Sequence, residues 1–190
     1  MKTPTHALVG WGFASLLGAT RQERRAAALG AVLPDLPVWG LFLGCMILHR
    51  GTGVEMRVLM DRVYFADPVF QAAHHLGHAP LPLLALTLLV MALQRPLGPA
   101  AGPLIFGLIG AASHMVVDLF THGRDGAMVL WPLDRERRLD MNLDQWDLGG
   151  PGLLILTLEM VIWLGDTLAL ALRRRNGHFP AYSKRFANTR

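Results

Sequence analysis

Apolar positions along the chain come in long blocks separated by short charged clusters. Stretches free of Asp, Glu, Lys and Arg run for 18 residues from Thr3 to Thr20, 27 from Pro68 to Gln94 and 22 from Pro96 to Val117. A helix that crosses a bilayer needs about 20 mostly apolar residues. The blocks predict five such helices, over about 5–20, 26–48, 80–94, 102–121 and 151–172. The first and third are short, and would tilt little or sit where the bilayer is thinned. Ala7 to Ala19 also has the length of a signal-peptide core. It reads instead as a span, because Arg21, Arg24 and Arg25 follow at once and would resist translocation. The one long polar stretch, Gly123 to Gly150, carries Trp131 and Trp146 and reads as a surface loop or lid.

Composition sharpens this pattern. Of 190 residues, 52% are hydrophobic and only 17% charged, against about 25% charged in soluble domains. Too little charge, no sustained heptad and a single cysteine, Cys45, disfavour disorder, a coiled coil and a disulfide framework respectively. The expected fold is all-α, a polytopic membrane bundle of about five short helices with a metal site at one end. Residues 1–172 would form a single membrane-embedded domain and 173–190 a basic cytoplasmic tail. The formal charge of +4 does not point to nucleic acid, because the basic residues cluster between apolar stretches instead of forming a face. Membrane lipids are the expected surroundings. With five spans, one side collects ten basic residues against one acid, including Arg21, Arg24, Arg25 and Arg173 to Arg175, and the other eight against nine. By the positive-inside rule the first side is cytoplasmic.

Within so apolar a chain, the few ionisable groups inside spans are costly and mark function by default. The strongest signal is His114-Met-Val-Val-Asp118-Leu-Phe-Thr-His122. Steps of four stack the three side chains on one helical face, where imidazole and carboxylate can share a divalent metal. A second cluster, His74-His75-Leu-Gly-His78-Ala-Pro80, offers His74 with His78 or His75 with His78, and Gly77 and Pro80 predict a helix break there. Asp35 stands between Pro34 and Pro37, where the helix should break and the carboxylate needs a cationic partner. His6 precedes the first span. On the five-span topology His6, His74 to His78 and His122 share the non-cytoplasmic end, with His114 and Asp118 about two turns below. Glu159 and Asp166 read as bundle hydrogen-bonding groups outside the site, and His49 and His178 as solvated or interfacial.

The combination of Thr5-His6, Leu33-Pro34-Asp35, His78 before an apolar helix, and His114-x3-Asp118-x2-Thr121-x-Gly123 resembles the inner-membrane, LexA-binding metal-dependent hydrolases of YdjM type, over roughly residues 3–150. Thr121-His122-Gly123-Arg124-Asp125, with Trp131-Pro132-Leu133 and Trp146-Asp147, is similar to a subgroup described only as metal-dependent hydrolases. The order of His and Asp is also similar to that of zinc-dependent phospholipase C and related nucleases. That similarity implies Asp35, one of His74, His75 or His78, His114 and Asp118 around one zinc, with Asp118 bridging to a second that His6 helps to hold. The chain departs from the YdjM-type pattern at the middle histidines, where a motif of the form HR-x2-TH would begin at Ala73.

The residues and the resemblance together predict an inner-membrane hydrolase with one or two zinc ions held by His6, Asp35, His74, His78, His114 and Asp118. Asp118 and His122 are the catalytic candidates, His122 as general acid or further ligand. The substrate class implied is an ester or phosphodiester, lipid-like because the site lies at the bilayer surface. The rival reading is a non-catalytic membrane protein in which the metal staples helices and a partner is bound. A transporter would need polar residues across the whole bilayer depth, and an intramembrane protease of zincin type would need the absent H-E-x-x-H.

Overall fold

The computed structural model describes residues 2–50, 55, 58, 62, 64, 66–122, 126, 128–135 and 151–175. Among these the regular elements are all helical. The helices are α1 (Thr3–Leu16), α2 (Arg21–Gly30), α3 (Leu36–Leu48), α4 (Pro68–His78), α5 (Pro80–Ala92), the single turn α6 (Gln94–Leu97), α7 (Ala101–Thr121) and α8 (Pro151–Arg175). Short 3-10 turns at Leu33–Asp35 and Gly98–Ala100 join α2 to α3 and α6 to α7.

All five predicted apolar blocks are helical, but not all are long enough to cross a membrane. Arg21–Leu48 and Gln94–Thr121 each run 28 residues with a single 3-10 turn inside, and both are long and apolar enough. The pair α4 and α5, bent by 52° at Ala79, is a third candidate if taken as one span. Helix α1 has 14 residues, about 21 Å at 1.5 Å per residue, against a hydrocarbon core of about 30 Å. Helix α8 runs 25 residues, Pro151–Arg175, and its described apolar part covers Leu153–Gly165. The tail expected from 173 on begins inside α8, and its residues from 176 lie outside the described ones, as do 136–150 of the predicted loop.

Helix α2 starts with a reciprocal cap: the Thr20 hydroxyl accepts from the Glu23 N–H at 3.3 Å, and the Glu23 carboxylate accepts from the Thr20 N–H at 2.7 Å. It lies between α1 and α7, which pack on it and on each other. Small residues make this possible. Gly30 touches the Gly107 backbone and Gly110 touches the Ala27 carbonyl, so the two helix backbones meet with no side chain between them. Ala14, Ala19 and Ala27 form a buried cluster where α1, α2 and α7 meet, with Phe106 against them. Large apolar residues point outward instead: Leu16, Leu48 and Leu164 are 87%, 80% and 70% exposed. An apolar exterior around a small-residue, polar interior is the arrangement lipid favours.

Candidate metal centre

Asp35 enters the interior because its segment cannot continue as a helix. Pro34 and Pro37 interrupt the hydrogen-bond ladder, and the Asp35 N–H turns to the Val32 carbonyl at 3.2 Å in 3-10 fashion. Helix α4 approaches this turn closely, since a Cβ on Gly77 would stand only 2.9 Å from the Pro34 Cα. The Thr3 hydroxyl donates to Asp35 Oδ2, and Trp39 Nε1–H donates to Thr3 at 3.2 Å. One carboxylate oxygen is thus held, and the other, Oδ1, faces inward.

His78 is the last residue of α4, placed by the helix break predicted from Gly77 and Pro80; Pro80 opens α5. Its Nδ1–H donates to the His74 carbonyl at 2.8 Å. His114, on α7 and fully buried, donates its Nδ1–H to the Ala31 carbonyl at 2.7 Å. Carbonyls only accept, so in the neutral rings both protons sit on Nδ1 and both Nε2 lone pairs point inward. These Nε2 atoms stand 3.0 Å apart. Asp35 Oδ1 lies 3.2 Å from that of His78 and 3.6 Å from that of His114. Asp118 Oδ2 lies 3.5 Å and 2.9 Å from the same two atoms.

Four acceptors therefore converge, with one donor atom of each residue within 4.8 Å of every other. Left to themselves their lone pairs repel, and burial makes the repulsion costly. A cation resolves it. Donors about 2.0–2.1 Å from a tetrahedral ion stand about 3.3–3.4 Å from one another, and the five separations given above span 2.9 to 3.6 Å. The carbonyls behind both imidazoles are the outer partners that fix ring orientation at metal sites. The residues present fit a divalent metal.

Asp118 turns its other oxygen the opposite way. Its Oδ1 is 3.1 Å from His6 Nε2 and 3.4 Å from His122 Nε2. His6 is fully buried on α1 and stacks on the His114 ring at 3.8 Å between centroids. His122 follows the end of α7 in extended conformation, so the predicted helical register holds for His114 and Asp118 while His122 reaches back from the cap.

The remaining histidines differ in place. His74 stands outside the four-donor group: its ring stacks on His78 at 4.3 Å and its Nδ1 is 3.1 Å from the Tyr64 hydroxyl. His75 donates Nε2–H to Gln71 at 3.1 Å and accepts the Met128 N–H on Nδ1 at 3.4 Å, which ties Met128 to α4. Glu159 is buried away from the centre, accepting the Lys2 N–H at 2.6 Å, and Trp163 donates to Thr5 at 3.3 Å, so α8 anchors the start of α1. His49 is exposed, and His178 and the Asp166 side chain lie outside the description. Sequence reasoning missed Thr3, Tyr64 and Gln71. Thr3 had a faint signal, a hydroxyl three residues before a buried histidine; the other two had none. Beside the donors lies a cavity of about 330 Å³, bordered by His78, Asp118 and His122.

A family model described as YdjM inner membrane protein matches residues 1–178. No curated protein and no solved structure matches the chain.

Proposed function

The chain belongs to the YdjM inner membrane protein family, and from that membership and the four-donor group we propose that it is a membrane-embedded, metal-dependent hydrolase of ester or phosphodiester bonds. The observation that carries the reading is the convergence of Asp35, His78, His114 and Asp118, with both imidazole lone pairs turned inward, beside a cavity large enough for a substrate. Imidazole and carboxylate donors at near-tetrahedral spacing suit zinc. The ion supplies Lewis acidity and acidifies water at neutral pH. Thr3 holds Asp35 so that Oδ1 faces the centre, and the Ala31 and His74 carbonyls hold His114 and His78 in the ligating tautomer. Asp118 faces both sides, and His6 with His122 on its Oδ1 offers the start of a second ion site. His122, partly exposed and bordering the cavity, hands a proton to the leaving oxygen. The site belongs on the non-cytoplasmic side, a placement that rests on the distribution of arginines.

One observation favours a second reading. Four protein donors close a tetrahedral shell, as structural sites do, and here they would tie together the Asp35 turn, α4 and α7. A partner-binding protein stapled by metal would have this shell. Turnover separates the two. Purified protein is assayed with bis(p-nitrophenyl) phosphate and p-nitrophenyl butyrate, before and after chelation and zinc restoration. Hydrolysis should follow the metal, and His122→Ala should lower kcat by about 10²–10⁴ without loss of the metal at the four donors. A full metal complement with no turnover on either ester sinks the hydrolytic reading and leaves the structural one.

A further inference from the structure

The cavity beside the donors has two unlike ends. His74, His78, Asp118 and His122 gather at one. The other lies between Leu83, Leu84 and Thr87 of α5 and Ala112, Met115 and Val116 of α7. Along α7 it extends from Ala112 to Leu119, about 10 Å at the helical rise, and beyond the helix end to His122. Thr87 is the one polar side chain among those six, and its hydroxyl donates to the Leu83 carbonyl at 2.8 Å. That end thus offers little to a peptide or a sugar, each of which needs partners for its own polar groups. It is also open at the side, because Leu84 and Val116 on its two walls are 52% and 56% exposed. Both walls belong to elements apolar enough to lie in a bilayer, α7 within Gln94–Thr121 and α5 as half of the bent pair.

We propose that this groove takes the apolar chain of a single amphiphile, entering sideways from the bilayer between α5 and α7, with its phosphate or carboxylic ester at the Asp35, His78, His114 and Asp118 donors. The substrate class is then a lipid, one chain in the groove and any other left in the membrane; this rests on the hydrolytic reading for what happens to the ester, but the binding does not. The apolar end selects the chain by burial, worth about a factor of four in affinity per methylene, while the donors select the head.

The test is photolabelling of the full chain, zinc-loaded and held in lipid nanodiscs, with dodecyl phosphate carrying a diazirine in its chain. Label should map by mass spectrometry to the Leu83–Thr87 and Ala112–Val116 segments, and excess dodecyl phosphate should displace it while dodecyl maltoside does not. Val116→Trp and Leu84→Trp, both at half-exposed positions that tolerate bulk, should each cut labelling about tenfold, the loss of roughly two methylenes' burial. Leu43→Trp, on the exposed face of α3, should leave it intact. Label spread over the outer apolar surface, or displaced equally by the maltoside, overturns the proposal. Groove labelling without turnover of any ester supports it and sinks the hydrolytic reading instead. Turnover of small esters with no groove label does the reverse.

Discussion

Gly110→Ala tests how the α2–α7 contact builds the metal centre. A Cβ at Gly110 would collide with the Ala27 carbonyl and stand 2.9 Å from the Ala31 nitrogen, both of them backbone that cannot rotate away. A Cβ there would stand 1.9 Å from the Ala27 oxygen, so restoring an ordinary separation of about 3.5 Å requires α2 and α7 to part by roughly 1.6 Å. Overpacking of this kind costs about 1–3 kcal/mol. The site pays as well, because His114 lies one turn beyond Gly110 and its 2.7 Å bond to Ala31 spans the same seam. Parted by that much, the bond is lost, and losing an outer partner of a ligating histidine weakens metal binding about 10–100-fold. Gly44→Ala is the control. Nothing lies within 4 Å of a Cβ there, so the helix should gain about 0.5–1 kcal/mol. Unfolding in mixed micelles gives the stabilities, and competition with a chromophoric chelator gives the affinities. If Gly110→Ala is as stable as Gly44→Ala and binds metal as tightly, the helix contact does not set the site.

Thr3→Val removes the hydroxyl that holds Asp35 Oδ2, and metal affinity measured by chelator competition should fall about 10–100-fold; an unchanged affinity means Asp35 is placed by other contacts. His75→Phe deletes the links to Gln71 and Met128 and should cost about 1–3 kcal/mol in stability while leaving metal stoichiometry as in the wild type. A loss of bound metal in that variant would bring His75 into the site. Ile, Leu or Val at Gly30 should prevent folding into the membrane-extracted native state, read as loss of a monodisperse peak, since its Cβ position already meets the Gly107 backbone.

Much of the centre was legible because the chemistry is local in sequence. Prolines on both sides of Asp35 announce a broken helix, His114 and Asp118 share a helical face, and Gly77 with Pro80 puts His78 at a helix end. The choice among His74, His75 and His78 was not legible, since the three lie within an arc of about 100° on one side of the helix and only the approach of Asp35 and α7 selects one. The Ala31 carbonyl, which fixes His114, carries no side-chain signal at all. Helical blocks were read correctly, but hydropathy does not set the length of a helix. Thus α1 is shorter than a bilayer core, while a 3-10 turn at Gly98–Ala100 extends the α7 span back to Gln94.

The most direct measurement is the metal content of the purified protein by inductively coupled plasma mass spectrometry, beside that of His114→Ala combined with Asp118→Ala. The wild type should carry about one to two equivalents of zinc and the double variant, still folded by circular dichroism, close to none. A folded double variant that keeps the full wild-type complement would show that the four converging donors are not where the metal binds.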